Sequence, residues 1–102
     1  MPRIVTDTET FTVQVIQHGF ATILNPNIPT MVEANTPFDI IYECRNDGAV
    51  ADTLYGLLYQ NDVAITDSEW SEAIQPNETK QKTYHHQGIT ASITIKIEVG
   101  HE

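Results

Sequence analysis

The pattern of apolar and polar positions that organises the chain runs from Phe38 to Tyr59, FDIIYECRNDGAVADTLYGLLY. Phe38, Ile40, Tyr42 and Cys44 alternate with Asp39, Ile41, Glu43 and Arg45, which predicts a strand with one buried face. Asn46-Asp47-Gly48 breaks the run, because glycine tolerates positive φ and Asn or Asp can bond its own backbone. A second strand is expected from about Asp52, with Tyr55, Leu57 and Tyr59 on one face and Leu54, Gly56 and Leu58 on the other.

The rest of the chain continues in short strands. Residues 1–8 form a polar, flexible lead, after which Phe11, Val13 and Val15 alternate with Thr10, Thr12 and Gln14. His18-Gly19 breaks this segment, and Phe20 to Leu24 read as another strand. Asn25-Pro26-Asn27-Ile28-Pro29 is expected to end it in a kink or loop, since each proline removes a ladder donor. Met31 to Glu33 could rejoin the sheet before the Phe38 strand. Gln60-Asn61-Asp62 predicts a tight turn and Val63 to Thr66 a short returning strand. Asp67 to Glu72 (DSEWSE) fits a capped helical turn or an irregular strand. Gln75 to Glu78 is a turn, and the polar Thr79 to His85 segment suits an edge strand. From Ala91 to Val99, Ile93, Ile95, Ile97 and Val99 face inward against outward Ser92, Thr94, Lys96 and Glu98. Short strands at regular spacing, without a helix-period segment of ten residues, predict an all-β antiparallel sandwich of about seven strands. Residues 9–102 make one domain, with 9–17 as an extra N-terminal strand.

Several of these segments together resemble the immunoglobulin-like sandwich domains of the CARDB (cell-adhesion-related) type. The matching features are the strand ending in Arg45-Asn46-Asp47-Gly48, the Leu54–Tyr59 strand with its Gln60-Asn61-Asp62 turn, the Gln75–Thr79 turn and the closing Ile93–Val99 alternation. The resemblance covers about Phe20 to Val99 and implies a non-catalytic adhesive or spacer role. It also implies a further strand after the one equivalent to Ala91–Val99, where this sequence has Gly100-His101-Glu102. Residues 9–17 precede the family's usual start, and Thr10–Ile16 could fill that edge in their own subunit or in a neighbour. Pairing of 9–17 within the same domain as an N-terminal hairpin is favoured, because it avoids the entropy cost of association.

Charge and chemistry narrow the function classes. Fourteen acidic residues against five basic ones give a net charge of −9, which argues against nucleic acid and anionic membrane surfaces as partners. MPRIVTDTET lacks the apolar centre of a signal peptide, so synthesis in the cytoplasm is expected, with incorporation into a virion or extracellular assembly left open. The one cysteine, Cys44, sits on an apolar strand face and reads as a buried structural thiol. His85 and His86 are adjacent on a strand and point to opposite faces, as plain polar histidines near a turn; with His18 and His101 they have no metal-ligand spacing. Cys44 is followed by RNDGAV and not by the His and Met ligands of a copper sandwich. Asp47 and Asp52, or Asp62, Asp67 and Glu69, could approach calcium between loops, but they lack calcium-loop spacing. Ser68, Ser71 and Ser92 sit in no Gly-x-Ser-x-Gly elbow, and no glycine-rich phosphate loop is present. No enzyme activity, cofactor or metal is therefore expected.

The candidate interaction residues are Phe11, Val13 and Val15 on the N-terminal segment, and Trp70, Tyr55 and Tyr59. Trp70 could be an exposed anchor or a lid over the sandwich end, and the Tyr55/Tyr59 face could pack across the sheets instead of binding. The expected partner is protein, either another copy joined through the N-terminal strand or a component of an assembly. Three functions compete: a small structural subunit of a virion, tail or filament, an adhesion or spacer module of a surface protein, and a carbohydrate-binding module.

Overall fold

The computed structural model describes residues 3–10 and 18–102. These form six strands and no helix: β1 (Ala21–Asn27), β2 (Phe38–Asn46), β3 (Asp52–Gln60), β4 (Val63–Ile74), β5 (Thr79–His86) and β6 (Ile95–His101). Two three-stranded antiparallel sheets, β1-β2-β5 and β4-β3-β6, face each other as an immunoglobulin-like sandwich. Residues 3–10 are exposed and belong to no strand, and the Phe11, Val13 and Val15 positions lie outside the described residues.

The two strands of the Phe38–Tyr59 stretch are the central strands of the two sheets. Ile40, Tyr42 and Cys44 of β2 and Leu54 and Leu58 of β3 are fully buried and meet across the interior with Ile74. Burying such side chains is worth roughly 1.5–3 kcal/mol each, the main favourable term in the fold. Turn chemistry then fixes the order of strands. Asn61 (φ 49°) and Asp62 (φ 67°) form a two-residue hairpin loop with both φ positive, whose twist matches the flanking strands. In the β4–β5 turn, Pro76 precedes Asn77 (φ 64°), and Glu78 N–H donates to Gln75 C=O at 3.0 Å, a type II turn.

The structure departs from several of these expectations. β1 does not stop at Leu24 but continues through Pro26 to Asn27, because a bulge absorbs the proline. Asn25 takes φ 47°, and the register jumps from Leu24↔Glu43 to Asn27↔Ile41. On an edge strand the missing proline N–H costs no ladder bond. Met31 to Glu33 do not rejoin the sheet, and Met31 is 90% exposed. The short strand after Asp62 is instead twelve residues long and runs through DSEWSE. The break in its alternation is an irregular bulge of four residues, 66–69, opposite Leu57: Gly56 pairs with Trp70 while Leu58 pairs with Ile65. There Ser68 Oγ accepts the Leu58 N–H at 2.9 Å and donates to Ile65 C=O at 2.6 Å, replacing the lost ladder partners. The last strand begins at Ile95 and not at Ala91, and it extends to His101. Gly48 is required for close approach and not for positive φ. A Cβ there would lie 2.6 Å from His18 C=O and 2.8 Å from Phe20 N. His86 is buried, stacked on Phe38 at 4.7 Å and bonded to Gln60 Oε1 across the sheets, while His85 stays exposed beside Asp39.

One end of the sandwich is organised by Asn46, which is fully buried. Its Oδ1 accepts from Phe20 N–H (3.2 Å) and Gly48 N–H (2.8 Å), and its Nδ2 donates to Val50 C=O (3.0 Å) and Ile74 C=O (2.8 Å). Both donors and both acceptors of the amide are thus used. Next to it, Asp52 accepts from Gly19 N–H at 2.8 Å and from Thr53 N–H at 2.8 Å. These donors, led by Gly19, and then the nearby His101 and His18, hold the Asp52 carboxyl below its ordinary range.

Two predictions follow from this end. Asn46→Ala strands four backbone groups and should lower stability by roughly 2–4 kcal/mol, read from the urea unfolding midpoint. For Asp52 the folded pKa is depressed, so its contribution is present above the unfolded pKa near about 4 and is lost as pH falls through the folded value. Asp52→Asn should therefore flatten the loss of stability in unfolding curves taken from about pH 5 downward. An unchanged acid slope would show that Asp52 does not contribute.

Candidate functional site

The two long sides of the sandwich are built differently. On the β4/β5 side, Trp70 projects inward over Gly56, where any Cβ would collide with Trp70 Nε1 and Tyr42 Oη. The indole N–H donates to Tyr42 Oη at 2.7 Å, linking β4 of one sheet to the centre of the other. Lys82 of β5 lies over the Trp70 ring (4.3 Å) and pairs with Glu72 of β4 at 3.0 Å. The Lys82 hydrogen bond and charge lower the Glu72 pKa, and burial raises that of Tyr42. A cation, an indole, a phenol and a carboxylate thus join the two sheets along this side.

On the β1/β6 side no comparable cover is formed among the described residues. Ile23 of β1 and Ile95, Ile97 and Val99 of β6 pack on the core but remain only partly buried. Among the described residues β6 pairs only with β3, and none of them adds a strand to its other edge. Toward the Ile95 end the seam widens into a cleft of about 500 Å³, lined by Ile28, Met31, Val32, Phe38, Ile93 and Ile95 among others. At the opposite end, the His18 and His101 rings stack at 4.5 Å, which places the start of the described domain against the C-terminal end of β6.

Tyr55 and Tyr59 lie on the outer face of the β4-β3-β6 sheet and do not pack between the sheets; the inward face of β3 is Leu54, Gly56 and Leu58. Both phenols donate to Glu98 Oε2, at 3.4 and 3.3 Å, and Lys96 lies 4.3 Å from the Tyr59 ring centre. The Glu98 carboxylate raises the Tyr55 pKa; desolvation, then Glu98, raises that of Tyr59. Trp70 is half-buried on the sealed side, so the three aromatic candidates do not form one platform. Cys44 is buried, and loss of hydration raises its thiol pKa. Among the described residues no three His, Cys, Asp or Glu side chains converge in metal-ligating geometry.

Sequence reasoning missed the β1/β6 cleft and the Trp70–Tyr42–Lys82–Glu72 seal. The cleft is formed by Ile28, Met31 and Val32, apolar positions in a proline-containing stretch that alternation could not assign to a sheet. The seal joins residues ten or more positions apart, for which only Gly56 in an otherwise large-residue strand gave a signal.

No protein-family model matches the sequence, and no curated protein matches it significantly. Among solved structures, the chain is similar to the CARDB domain of a protein from Pyrococcus furiosus, solved in complex with di-metal ions. The TM-score is 0.69, with 17% identity over 85% of this chain and 78% of that one. The fold is a CARDB-type immunoglobulin-like β-sandwich.

Proposed function

We propose that this chain is a non-catalytic immunoglobulin-like module that acts through protein contacts, as a small structural subunit of a larger assembly such as a virion, tail or filament. The observation that carries this reading is the use made of its polar side chains. Asn46, Asp52, Ser68, Glu72 and Lys82 join strands and loops to one another, while the β1/β6 side presents apolar side chains and a strand edge that no described residue pairs. Free backbone groups beside apolar pockets suit recognition of an extended protein segment. The CARDB-type fold agrees with a binding or spacer role, as fold-level analogy.

A carbohydrate-binding reading has one specific observation in its favour, the Tyr55–Tyr59 pair with Glu98 on an exposed sheet face. Native fractionation of source material, followed by lysine cross-linking and a glycan panel, separates the two. The structural reading expects the chain in a high-mass fraction, with Lys80 and Lys96 cross-linked to protein neighbours and no glycan response. A free chain whose glycan binding is lost in Tyr59→Ala would favour the carbohydrate reading instead.

A further inference from the structure

We infer that the edge of β6 left unpaired among the described residues, with the adjoining apolar seam, receives residues 10–16 of a second copy, added antiparallel to β6 as a seventh strand. This rests on the protein-contact reading above and names its partner. The segment TFTVQVI has seven residues, as does β6, and carries no charge. Its alternation gives Phe11, Val13 and Val15 on one face, matching the three inward, partly buried positions of β6. Antiparallel addition sets Phe11 opposite Val99, Val13 opposite Ile97 and Val15 opposite Ile95. Thr12 and Gln14 then face solvent opposite Glu98 and Lys96.

Reach decides which chain supplies the strand. The His18 ring stacks on His101, and Gly19 and Phe20 are held by Asp52 and Asn46, so the chain enters the domain at the C-terminal end of β6. A segment of the same chain lying antiparallel to β6 would place Ile16 beside Ile95. From there to His18 is roughly 20 Å, the length of a seven-residue strand. Two residues span at most about 7 Å. The chain's own segment could therefore lie along this edge only parallel to β6. All four described ladders are antiparallel, and parallel pairing is the weaker geometry. Glu9 and Thr10, at the start of the segment, are exposed and outside any strand. A second copy has no such constraint of reach. Because the donated segment and the receiving edge are different surfaces, the contact is head-to-tail and propagates unless two copies exchange strands reciprocally.

The test uses the full chain in two measurements. Light scattering over a concentration series should give a mass that rises above one chain. Two single variants, Gln14→Cys and Lys96→Cys, are then mixed and oxidised. Linked pairs containing one of each should form in clear excess over like pairs, because those positions face each other only across antiparallel copies. A mass fixed at one chain at every concentration would overturn the inference. So would closure within a single chain by the Thr12→Cys/Lys96→Cys double variant, which reports parallel pairing on the chain's own β6. Neither result touches the broader reading, since cross-links to other proteins in the native assembly are measured separately.

Discussion

Asn46 is the side chain through which four otherwise separate segments are brought to one point. Its amide takes N–H groups from Phe20 and Gly48 and gives its own to the carbonyls of Val50 and Ile74. Its backbone adds bonds with Glu78 and Asn77. The entry to β1, the β2–β3 loop, the end of β4 and the β4–β5 turn are all fixed by it. Full burial makes the arrangement cooperative in a specific sense. The amide itself is away from water, and a buried polar group left without partners costs about 1–3 kcal/mol. Gly48 belongs to the same arrangement, because only a residue without a Cβ lets the loop close over His18, Gly19 and Phe20.

That constraint has a consequence for the open side of the sandwich. By fixing Phe20 beside Asn46, and Gly19 beside Asp52, the fold decides where the N-terminal segment leaves the domain. The exit lies at the far end of β6 from the cleft, next to His101. A structural asparagine thereby limits how the preceding residues can meet the free edge. The same residues that stabilise this end of the domain also fix the direction from which the chain enters it.

What the sequence made legible follows from which interactions are local. Period-two burial in β2 and β3, the Asn61-Asp62 hairpin and the Pro76-Asn77 turn depend on a few adjacent residues, and each is seen in the structure. Segments where a side chain substitutes for a backbone partner were not legible. Ser68 interrupts β4 without ending it, and Asn25 bends β1 around Pro26, so both strands run longer than their alternation. The burial of His86 was equally hidden, since it depends on Phe38 and Gln60, which are distant in sequence. Of the candidate residues, Tyr55 and Tyr59 could be assigned to one face but not to the outside. The choice of inner face depends on Gly56, whose missing Cβ makes room for Trp70 and Tyr42.

The contrast between the two sides of the sandwich links fold to function. Both sides face the same difficulty: sheets that end in an edge strand expose apolar side chains and backbone groups together. On the β4/β5 side the chain resolves it internally, with Trp70 over Gly56, the Tyr42 hydroxyl beneath the indole and the Lys82–Glu72 pair above. A partly exposed ion pair of that kind adds little stability by itself, about 0–1 kcal/mol. Its location matters more, because long charged side chains along an edge discourage another strand from adding there. On the β1/β6 side, the inward positions are isoleucines and valine, and β6 offers only Lys96 and Glu98 outward. A chain able to protect one side with four polar and aromatic side chains leaves the other apolar. That difference marks β6 as the edge for the strand addition proposed above, and it would give such an assembly a polarity.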